Sequence, residues 1–177
     1  YEKENLALGK PTKVSSARQY DSTIFQPRYR TVGIDFSFSG NYAVDENYGT
    51  HWDPGVGAIK PWIIIDLKNE HTIKEIETIF EFTNRTYKYK IEYLPSKYAQ
   101  ELDKAANDNN WQLFTDRSIE GTSQSPVKDK PIKNLSVKAR FIRLTILAAD
   151  VPFTADGLDT KNATNGWSIF EIRVFGK

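Results

Sequence analysis

A series of short apolar or alternating stretches, each closed by a polar turn, leaves this chain few choices of fold. Tyr87-Lys88-Tyr89-Lys90-Ile91-Glu92-Tyr93 alternates with period two, so one face packs and the other meets water. Trp62-Ile63-Ile64-Ile65-Asp66-Leu67 is a compact apolar run after Pro61, the pattern of a buried strand. Ile73, Ile76 and Ile79-Phe80 mark the next strand region. Trp111-Gln112-Leu113-Phe114, Arg140-Phe141-Ile142-Arg143-Leu144-Thr145-Ile146 and Ile169-Phe170-Glu171-Ile172-Arg173-Val174-Phe175 continue the series. Ten Phe, nine Tyr and four Trp reinforce it, because aromatic and β-branched side chains suit pleated surfaces. Many short strands between polar turns predict an all-β chain, a sandwich or jelly roll. One helical pattern interrupts them. Tyr98, Leu102, Ala105 and Ala106 share a face, which predicts a short helix over Lys97–Ala106 with Ser96 as its N-cap. It falls in the connection between two hairpin strands.

The 177 residues suit one domain with a sizeable core, taken as 1–177. Charge is balanced at 24 Lys+Arg against 23 Asp+Glu, so the basic stripe of a nucleic-acid binder is missing. A run of about 18 apolar residues, enough to span a bilayer, is also missing. There is no Cys, which removes disulfides, thiolate metal sites and Cys nucleophiles together. There is no Met, so the chain is expected to be a processed product or a segment of a larger protein. His51 and His71 are the only histidines and stand far apart. No triad order and no H-E-x-x-H occurs. The chain is therefore expected not to be an enzyme. Two long connections, 15–42 and 150–167, are rich in aromatics, which argues for function rather than disorder.

Asp45 to Thr50 places a carboxylate, an amide and a hydroxyl within one turn just ahead of Trp52. A hard cation such as Ca2+ collects about six to eight such oxygens. Glu171 is a second acid at the other end of the chain, and one ion could join both ends. The same turn also reads as a solvated Asx-turn before a core Trp. Trp52 and Trp62 are expected in the core. Trp167 fits either the core or a sugar platform.

Asn5-Leu6-Ala7-Leu8-Gly9-Lys10-Pro11 resembles the opening of F5/8 type C (discoidin-like) domains. Ala43-x-Asp45-x-x-x-x-Thr50-x-Trp52 resembles their A-x-D-G-x-x-x-T-x-W signature. Trp62–Leu67, Ala139–Leu144 and Ser168–Gly176 resemble W-I-x-I-D-L, A-R-Y-V-R-L and S-I-x-E-I-x-V-F-G. The matches run in order along nearly the whole chain. The bacterial members are mostly family-32 carbohydrate-binding modules of glycan enzymes, and their fold is a jelly-roll β-sandwich. The resemblance implies a structural Ca2+ held by the side chains of Asp45, Thr50 and Glu171 and by the carbonyls of Tyr42, Asn47, Thr50 and Phe170. Glu46 departs from the family, which has Gly there; Gly suits a turn that needs positive φ.

The resemblance also implies a sugar site at the loop end of the sandwich. Galactose binders place a His after the signature Trp, where this chain has Asp53. The candidate ligand residues are Asp53, Asn84, Arg85, Tyr87 and Trp167. Asp53 and Arg85 would take hydroxyls, and Trp167 or Tyr87 would stack on the ring. The expected function is a non-catalytic carbohydrate-binding module that targets an attached or neighbouring enzyme, such as a glycoside hydrolase domain in the same parent chain, to a glycan or polysaccharide. The expected location is extracellular, cell-surface or periplasmic, in a bacterium. The alternative is a protein-interaction or packing module without a sugar site. A phospholipid-binding discoidin domain ranks below both, because those usually carry a Cys near each end.

Overall fold

The computed structural model describes residues 3–17, 39–55, 58–83, 85–150 and 167–177. Its strands are β1 (Thr12–Val14), β2 (Trp62–Phe80), β3 (Thr86–Leu94), β4 (Gln112–Asp116), β5 (Val127–Asp129), β6 (Val137–Asp150) and β7 (Ile169–Gly176), with a single short helix, α1 (Leu102–Ala106), among the described residues. Every pairing between these strands is antiparallel. The fold is the expected β-sandwich.

The two strand regions read at 62–67 and 73–80 are one 19-residue strand. That exceeds the usual strand length, and long strands in sandwiches bend to pass from one layer to the other. The bend lies between Asp66 and His71, where the pairing with β6 shifts register. Lys68 adopts φ 71° there and donates its backbone N–H to Asp66 Oδ1 at 2.8 Å. Before the bend β2 pairs with β1 and β6; beyond it β2 pairs with β5 and β7. The strand order β1-β2-β6-β3-β4 thus carries β5 and β7 on the far half of β2. The inward residues of both halves meet in one core that includes Trp52, Ile65, Phe80, Tyr87, Tyr89, Phe114, Ile146 and Ile172.

A second, smaller cluster lies on the other side of the sheet. Ile64, Leu94 and Phe141 are covered there by Ala99 and Ala105 from the β3–β4 connection, with Trp62 and Trp111 packed around them. Trp62 is therefore not in the main core as expected. It is half-buried under this connection because it points to the same side as Ile64. The helix is also shorter than predicted. Residues 96–98 form a turn, and α1 starts after Glu101 rather than Ser96. The polar groups of the missing turns have other partners. The Ser96 hydroxyl and N–H both donate to Glu70 Oε1 at 3.1 Å. Arg140 donates to the Gln100 carbonyl at 2.8 Å and to Gln100 Oε1 at 3.0 Å, while holding both oxygens of buried Asp66. Tertiary contacts override helix propensity here.

A candidate cation corner and ligand end

The Asp45 turn follows a 3-10 turn at Gly40–Ala43 and is anchored by buried Ala43 and Val44. Short polar side chains then fold the backbone on itself. Asp45 Oδ1 accepts the Asn47 N–H at 3.0 Å, Asn47 Oδ1 accepts the Gly49 N–H at 2.9 Å, and the Thr50 hydroxyl donates to Asp45 Oδ2 at 2.6 Å. The Thr50 N–H and hydroxyl also lie on the Asn47 carbonyl, at 3.1 and 2.9 Å. Trp52 then pairs with Ile169 through two backbone bonds of 2.9 Å. This bridge brings the turn to the start of β7. Glu171 lies two residues on, just past a register shift in the pairing of β7 with β2.

Glu171 is fully buried. Its Oε2 accepts the Glu46 N–H at 3.0 Å, and its Oε1 has no hydrogen-bond partner among the described residues. Burial, then the nearby charge of Asp45, pushes its carboxyl up to about 8. A sealed carboxylate with one bare oxygen, facing a second acid, is costly unless a positive charge joins it. Asp45, Thr50 and Glu171 thus converge on one corner and offer hard oxygen donors of the kind Ca2+ selects. No group of three or more His, Cys, Asp or Glu able to hold a metal occurs among the described residues. An ion here would have to draw on the Thr50 hydroxyl and on carbonyls such as those of Tyr42, Asn47 and Phe170.

Glu46 adopts φ 53°, the left-handed conformation for which Gly is suited. The turn keeps that shape despite the substitution. Its side chain is held outside, accepting from Asn5 Nδ2 at 3.1 Å and lying 3.6 Å from Arg173 Nε.

The candidate ligand residues gather less closely. The Trp52–Ile169 bridge and a bond from the Glu81 N–H to the Ser168 carbonyl, 3.1 Å, put Asp53, the 81–86 turn and Trp167 at the same end of the sandwich. Asp53 is largely buried, and its Oδ1 accepts the Gly55 N–H at 2.8 Å. The Arg85 guanidinium lies over the Phe82 ring at 4.4 Å. Trp167 is half-buried against the core; its Nε1 is buried and has no hydrogen-bond partner among the described residues. Asn84 lies outside the described residues. Tyr87 requires a correction. It is 1% exposed and stacks on Phe80 with centroids 4.0 Å apart, so it offers no face to a sugar. The desolvation of this position holds its hydroxyl far above the ordinary tyrosine range. The period-two pattern of β3 sets Tyr87, Tyr89 and Ile91 on one face, and that face is the core.

Sequence reasoning passed over a neighbouring trio. His51 Nε2 lies 3.9 Å from Glu81 Oε2, and its ring meets Phe170 edge-on at 6.0 Å. The signal was available: His51 precedes buried Trp52, so alternation turns it outward at the same end.

The family model of the F5/8 type C domain matches residues 30–169, and the chain belongs to this family. No curated protein matches the chain significantly. Among solved structures, chitosan-binding module 2 of a Paenibacillus sp. IK-5 chitosanase/glucanase, in complex with chitotriose, is similar at 21% identity and a TM-score of 0.66, over 97% of this chain and 100% of that one. A Clostridium perfringens family-32 carbohydrate-binding module in complex with GlcNAc-α-1,4-galactose is similar at 16% identity and a TM-score of 0.64, over 99% of this chain and 95% of that one. A Ruminococcus gnavus GH29 fucosidase matches 98% of this chain with 27% of its own length, at 20% identity and a TM-score of 0.62.

Proposed function

We propose that this domain is a non-catalytic carbohydrate-binding module that holds an attached or neighbouring enzyme, such as a glycoside hydrolase, on a glycan or polysaccharide outside the cell or in the periplasm. One observation carries the reading. Carbohydrate-binding modules that superpose on nearly all of this chain were solved with chitotriose and with GlcNAc-α-1,4-galactose. The loop end offers matching chemistry. Arg85 is a guanidinium held against an aromatic ring, suited to paired hydroxyls, and Trp167 supplies an aromatic side chain. Asp53 stands where galactose binders carry a His, so simple galactose should bind poorly. A shallow site gives low affinity, and avidity from repeated modules makes up the difference.

In this reading a Ca2+ ion is held by Asp45, Thr50 and Glu171 with the carbonyls of Tyr42, Asn47, Thr50 and Phe170. It supplies charge neutralisation and cross-links the chain, with no part in chemistry. The bare Glu171 Oε1 supports it.

A glycan array of the purified domain, followed by calorimetry on the best glycan, tests the sugar reading. Arg85→Ala and Trp167→Ala should each weaken binding about tenfold or more, the loss expected for a charge-assisted bond or a stacked ring. Full affinity in both variants would exclude this site. Silence across the array, with a protein partner recovered instead, would favour the interaction module.

A further inference from the structure

We propose that the ion at Asp45, Thr50 and Glu171 also latches the N-terminal segment, residues 3–10, onto the open edge of β7, with Glu46 as the link. The inference rests on the cation reading above. One edge of β7 pairs with β2. On its other edge the Val174 carbonyl accepts the Leu6 N–H at 2.8 Å, and the Val174 N–H donates to Asn5 Oδ1 at 3.0 Å. Asn5 is the hinge of this contact. Its Oδ1 also accepts the Ala7 N–H at 3.1 Å, and its amide NH2 donates to Glu46 Oε1 at 3.1 Å. Further along, the Gly9 N–H donates to the Val44 carbonyl at 2.7 Å. The segment is therefore tied to the cation turn at two points, Glu46 and Val44.

Glu46 transmits the state of the corner. Its N–H is bound to Glu171, its carboxylate holds Asn5 and faces Arg173, and its backbone is left-handed. A left-handed non-glycine residue is strained and persists only where its surroundings enforce it. With the ion in place, Glu171 and Asp45 are drawn together and the turn is enforced. Without it, two acids face each other beneath a strained turn, and this turn opens before the strands do. Asn5 then loses Glu46, and the Val174 N–H and carbonyl lose their cover. Uncovered strand edges of this kind accept other strands.

Hydrogen exchange on the whole 177-residue chain tests the latch, with calcium, with chelator, and in Glu46→Gly, while calorimetry follows calcium binding. Chelator should speed exchange of the Leu6, Gly9 and Val174 amides roughly tenfold, the factor one lost hydrogen bond allows. In Glu46→Gly with calcium, whose global stability matches the parent, Tyr89 and Ile91 should keep their protection. Glu46→Gly retains the backbone N–H that meets Glu171, so it should bind calcium as before and still show fast exchange at Leu6 and Val174. Calcium binding with unchanged exchange at Leu6 and Val174 would overturn the latch alone. So would equal acceleration of Tyr89 and Ile91 in Glu46→Gly with calcium, or a protected segment in that variant. No calcium heat at all would overturn the cation reading together with the latch.

Discussion

Asp129 and Glu171 are both buried acids on strands that flank the far half of β2, and their surroundings differ sharply. Asp129 Oδ1 accepts from Arg117 Nε at 2.8 Å and lies 2.7 Å from Arg117 Nη2; its Oδ2 accepts the buried Tyr89 hydroxyl. Glu171 has one backbone N–H, one bare oxygen and an acid for a neighbour. The chain completes the first site from its own side chains. It leaves one oxygen of the second without a hydrogen-bond partner among the described residues. The contrast sets a self-contained polar core against a corner where the proposed ion would complete the site.

The largest effect should come from breaking the complete site. Asp129→Ala strips the partner from Arg117 and leaves the Tyr89 hydroxyl unsatisfied in the core. Because Arg117 keeps some access to water, the loss should be about 2–3 kcal/mol, below the usual cost of orphaning a fully buried charge. Urea unfolding should give the same loss with and without calcium. A loss that calcium rescues would merge the two sites and end the comparison.

Next in size is removal of the ion. Calcium at a hundredfold excess over Kd should add about 2.7 kcal/mol. For a domain of this length that raises Tm by about 5–10 °C. Chelator should reverse the gain, and Asp45→Ala should abolish it. A melting curve indifferent to chelator would place Glu171 in the same class as Asp129.

Glu171→Gln sharpens the contrast by a smaller amount. The amide keeps an acceptor for the Glu46 N–H and turns the bare oxygen into a donor toward Asp45. Without calcium, and above pH 8 where the parent carboxyl is ionised, this variant should be about 1 kcal/mol more stable than the parent, roughly one satisfied hydrogen bond. In saturating calcium it should fall below the parent. Asp129→Asn, by contrast, should destabilise in both buffers. Equal stability of Glu171→Gln and parent in chelator would mean that Glu171 has a partner already.

The smallest effect belongs to Glu46→Gly. Relief of the left-handed strain favours it by about 1 kcal/mol, and loss of the Asn5 and Arg173 contacts offsets most of that. Thermal melts in calcium should agree within a few degrees.

The strand series was legible because alternation and short apolar runs report directly on which side of a pleated surface a residue lies. β3 follows it closely, whereas β6 and β7 keep it only on either side of their register shifts. What local pattern could not show was long-range. The bend that joins 62–67 to 73–80 depends on Lys68 and on pairing with β6. Val127–Asp129 is too short to leave a periodic signal, yet it carries the acid that completes the Tyr89 network. The helix over 97–106 has the right face, but Arg140 and Glu70 claim its polar groups. Tyr87 stands at a strand end that suggests the sugar, although its own period with Tyr89 and Ile91 points inward. The meeting of Asp45 with Glu171 spans most of the chain. Residue types suggested it and the family resemblance supplied it, while spacing alone was silent. The ligand residues sit at strand ends, which can be read from the sequence, whereas the packing of the loops around them cannot.

The single length of β2 has a mechanical consequence. A polypeptide that serves as backbone to both halves of the molecule is a shared beam: tension or melting on one half is borne by the same covalent strand in the other. The halves should therefore yield in one cooperative step rather than as separate modules. In the proposed tethering role the domain would be pulled at its ends, and a common beam would spread that load across every strand hydrogen-bonded to it. Residues 3–10, held to β7 and the 43–46 turn rather than to β2, are left to move on their own.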